Sequence, residues 1–120
     1  MTPPVGLIDR LINALGDDQV IVAEAIEARY RKDWSGVPAG EPIALLRPRT
    51  TQEVSTALAI CHEFSTPVVA QGGLTGLAGA AVPGKGQVAL TLERMNGIEE
   101  VDTAAATLTV LAGTPIQVVQ

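Results

Sequence analysis

Residues 71–79 read Gln71, Gly72, Gly73, Leu74, Thr75, Gly76, Leu77, Ala78, Gly79, with one hydroxyl at Thr75 and no charge. A β-branched pair, Val68 and Val69, leads into them. Glycine lacks the Cβ that holds a bulky anion away from backbone N–H groups, so such a loop brings bare amides close to a phosphate. A strand, then this loop, then small residues is the order expected of a diphosphate seat, and the most economical occupant is a dinucleotide cofactor. The plainer reading is a tight structural turn, since glycine is common in turns. Four glycines around a hydroxyl weigh toward the ligand.

Two well-known phosphate loops do not fit. G-x-G-x-x-G would require a glycine where Gln71 stands. The Walker pattern requires Ser or Thr after the lysine, but Lys85 precedes Gly86 and lies beyond Pro83. With no lysine in the loop, binding rests mainly on oriented amides in a desolvated cleft.

Other reactive side chains are few. His62 is the only histidine and Cys61 the only cysteine. Adjacent on one predicted helix, they cannot converge on an ion that needs three or four ligands, so no metal site is expected. His62 reads as a solvated residue near a helix C-terminus, and Cys61 as a small hydrophobe on the apolar face. Arg47 and Arg49 flank Pro48 at a strand end, with cofactor approach and surface solvation as even alternatives. Trp34, the only tryptophan, reads as a structural anchor. No catalytic residue is expected in the chain.

The elements that must position the loop alternate along the chain. Residues 5–15 place Leu7, Ile8, Leu11, Ile12 and Leu15 at helical spacing, with Thr2 before Pro3 as the start and Gly16 as the stop. A second, charged helix is expected over 24–32, and a Pro/Gly linker over 35–41. Then follow a strand (43–47), a helix (51–65) with Val54, Leu58 and Cys61 on its buried face, and a strand (67–70), together a βαβ unit. Thr50 and Glu53 offer that helix a capping box. A third strand (88–92) and an antiparallel hairpin (98–101 with 107–111) follow. Residues 115–120 read as the first turn of a helix cut short. The expected class is α+β, in one domain at most.

Bulk composition excludes several functions. Hydrophobic residues make up 47% of the 120 positions and aromatic ones 2%, so the core is aliphatic. A formal net charge of −5 argues against nucleic acid as a partner. No apolar run is long enough to span a bilayer, and the N-terminus lacks the pattern of a signal peptide. A lone cysteine fits a reducing compartment, and the expected location is cytoplasmic.

Further motifs flank the loop: Leu46, Arg47, Pro48, Arg49, Thr50, Thr51, Gln52, Glu53 and Val54 before it, and Leu92, Glu93, Arg94, Met95, Asn96, then Leu111, Ala112, Gly113 after it. Together these resemble the PCMH-type FAD-binding domain of the vanillyl-alcohol oxidase and p-cresol methylhydroxylase superfamily. Within it the chain is similar to the D-2-hydroxyacid dehydrogenases: those for D-2-hydroxyglutarate and D-lactate, and the flavin subunit of glycolate oxidase. Asp33 with Trp34, Arg47 with Pro48, the run Cys61, His62, Glu63, and Gln71 with Gly72 and Gly73 lean toward the hydroxyglutarate type. The resemblance runs over about residues 33–120.

It implies a helical lead-in over 1–37 and a partial FAD-binding domain over 38–120: the first βαβ subdomain and the opening hairpin of the second. It makes Gly72, Gly73, Leu74, Thr75 and Gly76 N–H donors to the FAD diphosphate. Gln71, Leu77, Gly79, Pro83, Met95 and Asn96 become further cofactor contacts. Where relatives with covalent flavin carry a histidine, this chain has Leu74, which implies non-covalent FAD. It also implies a flavoprotein that oxidises a D-2-hydroxy acid to a 2-oxo acid, with the substrate domain elsewhere and the isolated chain inactive. A flavin- or nucleotide-binding module completed by a partner chain is the alternative, and a remnant that barely folds is the blandest.

Overall fold

The computed structural model describes residues 3–120, so the Thr2 helix start falls outside it. The first helix, α1 (Leu7–Leu15), begins after Gly6 and ends at Gly16, whose N–H donates to the Ile12 carbonyl. Both glycines have positive φ (87° and 93°), which a side chain would oppose. Leu7, Leu11 and Leu15 recur every fourth residue and are buried on one stripe.

The expected second helix is replaced. Residues 20–22 form a strand, β1 (Val20–Val22), followed by two short 3-10 turns at Ala23–Ala25 and Ala28–Arg31. A run with one β-branched residue on each side of Ile21, itself β-branched, extends more readily than it coils. β1 pairs antiparallel with β2 (Ala44–Leu46). The expected lead-in therefore supplies an edge strand to the same sheet as the rest.

α2 (Thr51–Glu63) follows β2. Thr50 Oγ1 accepts from Glu53 N–H at 3.1 Å, and Glu53 Oε1 accepts from Arg49 N–H at 3.0 Å, closing the capping box one residue earlier than Thr50. The buried stripe is Ala57, Ile60 and Cys61; Leu58 is 45% exposed, contrary to expectation. At 100° per residue Leu58 lies about 100° from Ala57, on the outer flank of that stripe.

β3 (Val68–Gln71) and β4 (Val88–Thr91) complete a four-stranded sheet of order β1-β2-β4-β3, with β2, β4 and β3 parallel. β4 thus inserts between the two strands of the βαβ unit. One face of the sheet, through Leu46, Val88 and Leu90, packs on α1 and α2. The other, through Leu45 and Ala89, packs on Ile26 and Tyr30, with Leu74 against them. Both faces are covered, so β2 and β4 are buried at every residue. Among the described residues no helix is long and apolar enough to cross a membrane.

A separate hairpin, β5 (Ile98–Asp102) with β6 (Thr107–Val110), extends from the body, and a short helix, α3 (Ile116–Val119), follows. Gly113 N–H donates to the Met95 carbonyl at 2.8 Å, and Gly97 N–H to Thr114 Oγ1 at 2.9 Å, so the chain after the hairpin returns to the end of β4.

Two backbone crossings depend on glycine. A Cβ on Gly40 would lie 1.6 Å from the Pro83 carbonyl oxygen, and one on Gly113 would lie 1.7 Å from that of Leu92. Gly40→Ala should lower stability by about 3 kcal/mol, at the upper end of overpacking costs. Gly72→Ala, whose Cβ meets nothing within 4 Å, should cost far less; chemical denaturation of both checks the contrast. Hydrogen bonds from Gln19, then from Arg49 and Thr50, hold the Glu53 carboxyl below the usual range. Its contribution is full above an unfolded value of about 4.3 and is lost as pH falls through the lower folded value. Melting temperature should fall modestly as pH goes from 5 to about 3, and Glu53→Gln should start lower and fall less.

Candidate functional site

The parallel register sends three chain segments out of the sheet at one end. Leu46, Leu90 and Ala70 are level across β2, β4 and β3. Arg47, the Leu92–Glu93–Arg94 segment and Gly72 therefore emerge together at the carboxyl ends of the strands, where ligands of open α/β sheets bind. Arg47, Gly72, Glu93 and Arg94 line a cleft of about 820 Å³ with Gly73, Leu74, Thr75, Arg29 and Asn96, closed on the far side by Ala112, Gly113, Thr114 and α3.

The glycines separate into two kinds. Gly79 has φ +75°, and a Cβ there would lie 2.9 Å from Val37 Cγ2, so the fold itself requires it. Gly72, Gly73 and Gly76 have no such φ, and a Cβ on any of them would meet nothing within 4 Å. A structural turn would not need glycine at those three positions. A ligand resting on the backbone would. Among the described residues, the N–H groups of residues 72–76 donate to no protein acceptor. Leu74 is half-buried and the other four residues are exposed, so these donors face open space where an anion can meet them.

Leu74 fixes the loop's course. It holds φ +61°, a left-handed conformation costing about 1–2 kcal/mol for a side-chain-bearing residue. Its packing on Ile26, Tyr30, Leu45 and Ala89 offsets that cost and folds the loop over the sheet's second face. Strain held by packing at a loop tip is common where a ligand is clamped.

The other expected contacts lie elsewhere. Gln71 turns inward: its side chain is buried, and Nε2 donates to the carbonyls of Tyr30 at 2.7 Å and Ala81 at 3.0 Å. It braces the loop from behind. Leu77 is exposed outside the cleft. Gly79 and Pro83 line a different recess, of about 490 Å³. Of the expected pair, Met95 is buried and Asn96 lines the cleft. Trp34 anchors through its backbone, N–H to the Gly76 carbonyl at 3.0 Å, while its indole is 71% exposed. Cys61 is buried, which pushes its thiol up and leaves it unreactive.

Sequence reading credited the loop with no cation, yet three guanidiniums line the cleft: Arg29, Arg47 and Arg94. Arg49 instead pairs with Asp18 at 3.3 Å. The distant Arg29 gave no local signal, because only the fold of the 3-10 turn at Ala28–Arg31 brings it there. Arg47 Nε is buried without a hydrogen-bond partner, 3.9 Å from Glu93. Burial pushes the Glu93 carboxyl up, but bonds from Arg29 and Tyr30 and the charges of Arg29 and Arg47 bring it below the usual range. Burial, then the bond to Glu93, pushes the Tyr30 phenol up to about 12.

A family profile described as an FAD binding domain matches residues 42–120. Over 90 residues the chain is 36% identical to D-2-hydroxyglutarate dehydrogenase of Xanthomonas citri pv. viticola, covering 75% of this chain and 19% of that protein. Over 105 residues it is 33% identical to glycolate oxidase subunit GlcD of Bacillus subtilis, covering 88% of this chain and 22% of that one. Its fold is similar to that of p-cresol methylhydroxylase crystallised with substrate bound, at a TM-score of 0.78 and 28% identity, covering 95% of this chain and 24% of that chain. The chain thus spans about a fifth of the length of these curated relatives.

The residues present fit a flavin dinucleotide. Open space stands over Gly72, Gly73 and Gly76, the loop's amides have no partners among the described residues, and a buried Arg47 Nε lacks an acceptor. These are the donors a diphosphate needs. Leu74 offers no nucleophile to a flavin ring. The chain belongs to the FAD-binding domain family, as a PCMH-type domain related to the D-2-hydroxyacid dehydrogenases, and its cofactor is FAD held without a covalent bond.

Proposed function

We propose that this chain is the diphosphate-holding portion of a longer flavin-dependent oxidoreductase that converts a D-2-hydroxy acid to the 2-oxo acid. The observation that carries the binding half is the set of three glycines that the fold does not need and a seated anion does. Support for the substrate half comes from relatives named for D-2-hydroxyglutarate and for glycolate, both 2-hydroxy acids. Bound flavin supplies the two-electron acceptor for such an oxidation. The residues of this chain hold the diphosphate on the amides of 72–76, set cationic charge beside it, and close the cleft with the segment after β6.

Among the described residues no three His, Cys, Asp or Glu side chains come together as a metal site. Catalytic groups are assigned to a region outside this chain, and the chain alone is expected to turn over neither D-2-hydroxyglutarate nor D-lactate. A module completed by a partner is the second reading. It is favoured by the exposed apolar residues Val101, Ile116 and Val118 on the hairpin and final helix. We assign the protein to the cytoplasm on its single thiol.

FAD titrated into the 120-residue chain should quench flavin fluorescence saturably. Gly73→Val should weaken that binding at least a hundredfold while shifting the melting temperature little, because its side chain enters the cleft and not the core. Equal FAD affinity in the variant would overturn the assignment of the loop. Turnover of either hydroxy acid by the chain with FAD and a dye acceptor would overturn the division of labour.

A further inference from the structure

Arg29 is distant from the glycine loop in sequence and beside it in space. With Gly73 and Leu74 it lines both the main cleft and a smaller recess of about 190 Å³. The segment carrying it is fastened to the loop's first residue, since Gln71 Nε2 donates to the Tyr30 carbonyl at 2.7 Å. The guanidinium lies over the Tyr30 ring, 4.1 Å from its centroid. Arg29 Nη1 donates to Glu93 Oε2 at 2.9 Å, and its Nε to the exposed Glu27 Oε2 at 3.2 Å. Glu93 also accepts from the Tyr30 hydroxyl and stands 3.9 Å from Arg47 Nε. One carboxylate therefore sits among two guanidiniums and a phenol, on the wall of a cleft whose floor is a row of unpartnered amides.

This pairing is a poor stability device. The Arg29 side chain is 55% exposed, and solvent screens a pair like that heavily. Its location explains it better. Glu93 occupies the position of an anion between two arginines, beside a loop of unpartnered amides. Arg94 is engaged elsewhere, donating to the Arg47 carbonyl at 3.2 Å and facing Asp18 at 3.6 Å.

We propose that Arg29 is the cation for the FAD diphosphate and that Glu93 is its placeholder, holding the guanidinium at the rim until the diphosphate takes it over. This rests on the FAD reading above and adds the charge that the loop lacks. Arginine suits the role because its planar fork can leave a carboxylate and meet a phosphate with the same donors.

FAD and riboflavin are titrated into the full chain and into Arg29→Gln, Arg29→Lys and Glu93→Gln, at low and high salt, with melting curves for each. Arg29→Gln should weaken FAD at least tenfold, flatten its salt dependence and leave riboflavin unchanged; Arg29→Lys should recover part of the loss. Glu93→Gln should tighten FAD several-fold, because the arginine loses its partner on the cleft wall and keeps only the more exposed Glu27, whereas a merely structural role would make both variants bind worse. An Arg29→Gln chain that binds FAD like the wild type, or a Glu93→Gln chain that binds it more weakly, overturns the proposal. Failure of the wild type to bind FAD would instead remove the FAD reading itself, and this proposal with it.

Discussion

The site depends on β4 lying between β2 and β3 in parallel register. Main-chain hydrogen bonds fix which residues are level, so Arg47, Gly72 and Glu93 leave the sheet at one end whatever their side chains do. Burial of β2 and β4 on both faces makes that register expensive to change, because a slip by one residue would exchange Leu45 for Leu46 and Ala89 for Leu90 between two unlike packing surfaces. α1 and α2 load one face with leucine and isoleucine. Tyr30, Ile26 and Leu74 load the other. The glycine loop is thereby held at both ends, by Gln71 behind it and by Leu74 over the second face.

What could be read from the sequence was what local chemistry determines. α1 announced itself through leucines at a four-residue interval and Gly16 as its stop, whereas its start at Gly6 did not. α2 did so through Thr50 and Glu53, and the loop through its glycines. The buried stripe of α2 was harder, because Val54, Leu58 and Cys61 share helical spacing with Ala57 and Ile60, and only the position of the sheet decides which side is inside. β1 was hidden for a related reason. Three residues carry little periodicity, and the charged run after them resembles a helix until Ile26 and Tyr30 are seen turning inward from short 3-10 turns.

The site divides in the same way. Amide donors could be inferred because glycine signals backbone exposure directly. Of the arginines only Arg47 was a candidate, as an even alternative to solvation; Arg29 and Arg94 come from separate segments and join it only through topology. Gln71, Pro83 and Met95 stand within or beside the family's motifs yet are buried, so these motifs contain residues that shape the loop as well as exposed ones. Exposed ion pairs in the chain contribute at most about 1 kcal/mol each, so the stability of this arrangement comes from the aliphatic core, and charge is left free to serve binding.

The central claim is that the amides of residues 72–76 receive the diphosphate, and amide-resolved NMR of the ¹⁵N-labelled chain tests it directly. On addition of FAD, the N–H resonances of Gly72, Gly73, Leu74, Thr75 and Gly76 should shift downfield as they gain an acceptor, and riboflavin, which has no phosphate, should leave them in place. Shifts confined to other parts of the chain, or equal shifts with riboflavin, would contradict the account.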